Sequence, residues 1–184
     1  MKRIATLLLA LALPMTASAE RLRVDVLIFT TARASPYTGT PPRHPDDDRA
    51  IAIDDLRGLA QAGIALLPEA STTLAAEWAT LTLSKVYKPV LRLSWLQEGA
   101  VFEGGPALRI YLPGGDGISG LDGWLRLNRG RSVQLSADLE LVQVGADQLP
   151  QAHRLRERRE LPLDTLHYLD SNRIGVLARV SAAR

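Results

Sequence analysis

Cysteine is absent from this chain. That absence removes disulfides, thiol catalysis and cysteine-based zinc sites from consideration. It also argues against a bacterial lipoprotein, which carries its lipid on a cysteine just after the leader. Histidine is scarce: His44, His153 and His167 are the three present, and no two lie at metal-ligand spacing. Aromatic residues make up 5% of the chain, so each tryptophan has to be weighed one by one as core or as platform. After the first 13 residues no apolar run is long enough to cross ~30 Å of hydrocarbon, which takes about 20 residues. No excess of one charge is present either. Two of the 22 basic residues, Lys2 and Arg3, precede the first apolar run, and the rest balance the 20 acidic residues. A neutral chain of this kind argues against nucleic acid as a partner.

The N-terminus is organised for export. Lys2 and Arg3 lead into the apolar run Ile4 to Leu13, then Pro14, then Ala17-Ser18-Ala19. This is a charged region, a short apolar region and a small-residue cleavage site, which predicts a signal peptide over 1–19 cut after Ala19. Residues 20–184 then form a single domain of ordinary size, with no membrane span. A periplasmic location follows if the source is Gram-negative.

Alternation of apolar and polar residues dominates that domain. Leu22, Val24, Val26 and Ile28 predict a first strand with one buried face. The proline-rich, acidic stretch 30–50 reads as a surface loop. Ile51 to Gln61 reads as a short helix ended by Gly63. Ser71 to Tyr87 reads as the main helix, capped by Ser71, striped by Leu74, Trp78 and Leu81, and stopped by Pro89. Strands follow at Leu91 to Trp95 and Leu108 to Leu112, then a hairpin turning at Arg129-Gly130. In its second arm Ser132, Gln134, Ser136, Asp138 and Glu140 form a wet face. Leu155 to Val180 reads as two strands around a turn at Asp170-Ser171-Asn172. The expected fold class is α+β: a mostly antiparallel sheet of about six to seven strands with one or two helices packed on one face.

Few groups are arranged for chemistry. The chain holds neither Gly-x-Ser-x-Gly nor Ser-x-x-Lys, and Gly117-Ile118-Ser119-Gly120 lacks the Lys-Ser/Thr pair of a phosphate loop. His44 beside Asp46 to Asp48 offers hard oxygens for a cation, but a solvated acidic loop explains the same residues. Glu98 and Glu157 are separate carboxylates that only the fold could pair for glycan cleavage. No cofactor and no metal are expected. The cluster Arg154, Arg156, Arg158 and Arg159 suits an anionic partner, because guanidinium groups fork onto carboxylates. Acids across the sheet, such as Asp138 or Glu140, would instead neutralise it. Arg156 and Arg158 share a strand face, and Arg159 points to the other. His167 and Tyr168 open the turn before the last strand, where imidazole and phenol can bind or stack on a sugar. Trp78 and Trp95 lie on apolar stripes, whereas Trp124 falls out of phase with Leu121, Leu125 and Leu127 and is the candidate platform.

Several of these blocks together resemble a known family. Arg156-Glu157-Arg158-Arg159-Glu160, His167-Tyr168-Leu169-Asp170 and Gly175-Val176-Leu177 resemble the C-terminal signature of the CsiV proteins. Arg23 to Phe29, Lys88 to Leu91 with Ser94 to Gln97, and Leu121-Asp122-Gly123 with Leu125, Leu127, Asn128 and Arg129 resemble its other segments. The chain departs from the pattern at Gly130-Arg131-Ser132 and at Ser171-Asn172. The resemblance implies a non-catalytic periplasmic protein that binds peptidoglycan. It also implies partnership with a class A penicillin-binding protein and that enzyme's outer-membrane lipoprotein activator. Arg156, Arg158, Arg159, His167, Tyr168 and Trp124 are the expected ligand-binding residues. A wall hydrolase with an unrecognised carboxylate site, and an envelope assembly protein binding only other proteins, are the rival readings.

Overall fold

The computed structural model describes residues 21–31, 43, 45, 47, 49–98, 105–114, 120–144 and 149–183. The expected leader, His44, and Gly117 to Ser119 lie outside the described residues.

Two five-stranded sheets stack face to face, where the sequence predicts a single sheet of six or seven strands. The first contains β1 (Leu22–Thr31), β3 (Ile64–Leu66), β4 (Tyr87–Gln97), β9 (Leu166–Asp170) and β10 (Ile174–Ala182), in the order β3-β4-β1-β10-β9. All its pairings are antiparallel. The second contains β2 (Ala50–Ala52), β5 (Ala107–Leu112), β6 (Gly120–Arg129), β7 (Val133–Val144) and β8 (Pro150–Glu160), in that order. It is mixed, because β2 runs parallel to β5.

One core joins the sheets. Val24, Val26, Trp95, Val176 and Val180 of the first sheet cluster with Leu108, Leu125, Leu139 and Leu155 of the second. β1 is central and is buried on both faces, not on one as its alternation suggests. Leu27 and Phe29 point away from the inter-sheet core and pack with Leu81 of helix α2 (Ala75–Leu83) and with Leu74, the residue just before it. The shorter helix α1 (Leu56–Gln61) sends Leu59 into the inter-sheet core instead, so the two helices do not share one face.

Helix α2 is shorter than Ser71 to Tyr87 for local reasons. Residues Glu69–Ser71 form a 3-10 turn, and Ser71 Oγ donates to the Pro68 carbonyl rather than capping. At the other end Ser84 is extended, and its Oγ accepts from the N–H groups of Val86 and Tyr87, which starts β4. Pro89 therefore lies inside β4. It pairs with Phe29 at a register shift, the kind of irregularity where a strand tolerates a missing donor.

The C-terminal segment is three strands on two sheets. Leu161 N–H still bonds Val133 O of the second sheet at 2.8 Å, and Asp164 N–H already bonds Val180 O of the first at 2.8 Å. The chain crosses between sheets at 161–165, and the turn at 171–173 then joins β9 to β10.

Candidate functional site

The outer face of the second sheet collects most of the polar candidates. Register places Trp124 beside Asp138 and Arg156, Arg126 beside Ser136 and Arg158, and Asp122 beside Glu140 and Arg154. Arg156, Arg158 and Trp124, which are distant in sequence, thus share one face. Arg159 belongs to the opposite side of β8 and pairs with Glu157 through Nε at 2.8 Å. His167 and Tyr168 stand on β9, an edge strand of the other sheet. The six expected residues therefore divide into three groups.

The arginines of β8 differ in what already holds them. Arg154 forks onto Asp138, with Nε and Nη2 each 2.6 Å from a carboxylate oxygen. Arg156 Nε is 3.7 Å from Asp138, and its side chain is 78% exposed against 33% for Arg154. Arg158 Nε donates to Gln134 Oε1 at 2.6 Å. Asp138 is thus the cross-strand acid that a charged face requires, and Arg154 rather than Arg156 is its main partner.

The acidic end of this face is covered, which corrects its reading as wet. Asp138 is 4% exposed and Glu140 1%. Glu140 accepts from Arg43 N–H, Arg109 Nη1 donates to the Pro45 carbonyl at 2.7 Å, and Arg126 pairs with Asp47. The described points of the 43–49 stretch are docked on the sheet, and Pro45 is buried, so this end of the expected surface loop is not a free excursion. Asp47 meets an arginine there, and the other members of the expected cation loop, His44, Asp46 and Asp48, lie outside the described residues. Among the described residues no three His, Asp or Glu side chains gather to hold a metal.

Trp124 is half-buried, and its ring already carries the Arg126 guanidinium 5.0 Å from its centroid. One of its faces is occupied by a cation. Trp95 is in the core, as its stripe predicts, and Trp78 is half-buried under Arg92 at 5.1 Å. His167 Nε2 shares a hydrogen bond with Thr165 Oγ1 and faces the Pro162 carbonyl at 3.4 Å, an arrangement that ties the 162–167 turn together. Tyr168 stacks on Phe29 at 6.1 Å, and Phe29 meets Tyr87 edge-on at 5.4 Å. Burial, then Asp170 nearby, pushes the Tyr168 hydroxyl up from its ordinary value.

Glu98 and Glu157 are each held by an arginine. Glu98 follows β4 in the first sheet and bonds Arg21 at 2.8 Å, while Glu157 on β8 of the second sheet bonds Arg159. Among the described residues no helix is long and apolar enough to cross a membrane.

A family model described as "Peptidoglycan-binding protein, CsiV" matches residues 3–183. No curated protein and no solved structure matches the chain.

Proposed function

Because the chain belongs to the CsiV family of peptidoglycan-binding proteins, we propose that it binds the glycan–peptide wall in the periplasm without cleaving it. Residues 1–19 act as a removable leader, and 20–184 act as one binding domain. In this role the protein supports a class A penicillin-binding protein together with that enzyme's lipoprotein activator.

The observation that carries this reading is the family match over nearly the whole chain. The β8 arginine row adds a chemical reason, since wall stem peptides carry carboxylates and guanidinium groups bind carboxylates in a fork. Arg156 and Arg158, with Trp124 beside them, are the proposed contact. Arg159, His167 and Tyr168 form the alternative contacts, on other surfaces.

Sedimentation with purified sacculi tests the reading. The protein without residues 1–19 should pellet with sacculi and release no soluble muropeptides. Release of muropeptides that is lost on Glu98→Gln or Glu157→Gln would replace it with a hydrolase. Exported protein should have the mass of a chain starting at Glu20, and it should raise the rate of a purified class A synthase.

A further inference from the structure

At the turn end of the β6–β7 hairpin there is a pit of about 390 Å³ lined by Asn128, Gly130, Arg131, Ser132, Gln134 and Arg158. Small-ligand sites occupy roughly 300–1,000 Å³, so the pit is large enough for a short peptide end. Among the described residues its lining has two guanidinium groups, two amides and a hydroxyl, with no carboxylate and no aromatic ring. A sugar platform needs a ring to stack on, and a cation site needs acids. Paired guanidinium groups among neutral donors suit a carboxylate.

The pit is also built in advance. Asn128 is 5% exposed, and its Nδ2 donates to Ser136 Oγ at 3.2 Å. Gln134 Oε1 accepts from Arg158 Nε at 2.6 Å, and Gln134 Nε2 donates to Ser132 Oγ at 3.4 Å. Gly130 N–H bonds Ser132 O at 3.1 Å and closes the turn that carries Arg131. Side chains held in this way lose less freedom when a ligand arrives. The acid nearest in register is Glu160, opposite Gln134, and it is not in the lining.

We propose that this pit is a carboxylate subsite that takes the C-terminal end of a short peptide. Arg131 and Arg158 receive the carboxylate, and the amides and the hydroxyl receive the last peptide group. Its natural ligand, a wall stem peptide, rests on the wall-binding reading; the carboxylate chemistry does not.

The test is a two-dimensional amide NMR titration with N-acetyl-D-alanyl-D-alanine as the free acid and as its C-terminal amide. The acid should shift resonances at residues 128–134 and at Arg158, and the amide should bind at least about tenfold more weakly. Arg131→Ala/Arg158→Ala should abolish the shifts while the remaining spectrum stays that of a folded protein; Arg131→Gln alone should weaken them. Equal response to acid and amide, shifts confined elsewhere, or a folded double variant that binds like the parent would overturn the subsite. Sacculus sedimentation of the same samples separates the two ideas. Acid binding without sedimentation removes the wall reading and leaves the subsite, and sedimentation without acid binding does the reverse.

Discussion

Asp25 shows how one buried carboxylate can organise three segments. It is 1% exposed, and it accepts from Arg23 Nε at 2.8 Å, Ser94 Oγ at 2.6 Å, Thr73 N–H at 3.1 Å and Thr73 Oγ1 at 3.0 Å. β1, β4 and the segment leading into α2 are tied to one group. Burial alone would raise the Asp25 pKa, but Arg23, Ser94 and Thr73 outweigh it and hold the group at about 2 against an ordinary 3.8. A depressed pKa stabilises the fold above the unfolded value and is lost as pH falls through the folded one. Asp25→Asn should therefore destabilise the protein by about 3 kcal/mol at pH 7, since it leaves a buried donor set without its anion. In urea titrations the gap between parent and variant should close as pH drops from 4 towards 2. A gap that stays constant would mean that packing, not charge, is the contribution of Asp25.

Among the elements, β6 and β8 separate what sequence pattern could reveal from what it could not. Alternation placed the β6–β7 hairpin and its turn, because each strand has one apolar face. It missed the second buried face of β1, because Leu27 and Phe29 are covered by a helix from far along the chain. It also ran β8 and β9 together. Pro162 and Asp164 mark the crossover, yet the charged run before them reads as one continued strand. The site was legible to the same extent. The Arg156–Arg158 side sharing follows from a period of two, but the meeting with Trp124 depends on strand order. The cover over Asp138 and Glu140 depends on a stretch about a hundred residues earlier. The edge position of β8 gives its charges a second role, since charged side chains discourage pairing with another sheet. Gly123 is the strictest local requirement. Its φ is +150°, and a Cβ there would lie 2.1 Å from the Asp138 carbonyl oxygen. Gly123→Ala should cost about 3 kcal/mol through backbone strain and should disturb the β6–β7 ladder under the candidate face. Thermal unfolding of Gly123→Ala beside Gly130→Ala tests this, because nothing lies within 4 Å of the Cβ position at Gly130. Equal losses would refute the assignment.

At the scale of the whole molecule, the β8 arginine row and the Tyr87–Phe29–Tyr168 ring row lie on different sheets, and Tyr168 is the exposed member of that ring row. A ligand that rests on the arginine face cannot also use Tyr168 in the same way, because that ring belongs to the Tyr87–Phe29–Tyr168 row of the first sheet. The proposed wall contact is thus separable by mutation. Arg156 and Arg158 are exposed, and Arg154 is committed to Asp138. Arg156→Ala/Arg158→Ala should weaken sacculus binding by about tenfold, as expected for two charge-assisted contacts at an exposed surface. It should also flatten the salt dependence, because exposed charges are screened over a Debye length of ~8 Å at physiological ionic strength. Arg159→Ala, on the opposite side of β8, and His167→Ala/Tyr168→Phe, on β9, should bind like the parent. Circular dichroism establishes that each variant is folded before binding is measured at low and high salt. If His167→Ala/Tyr168→Phe is the defective variant, the wall lies against the first sheet and its aromatic row. If every folded variant binds like the parent at both salt concentrations, the arginine row is only the charged guard of an edge strand and the contact lies elsewhere.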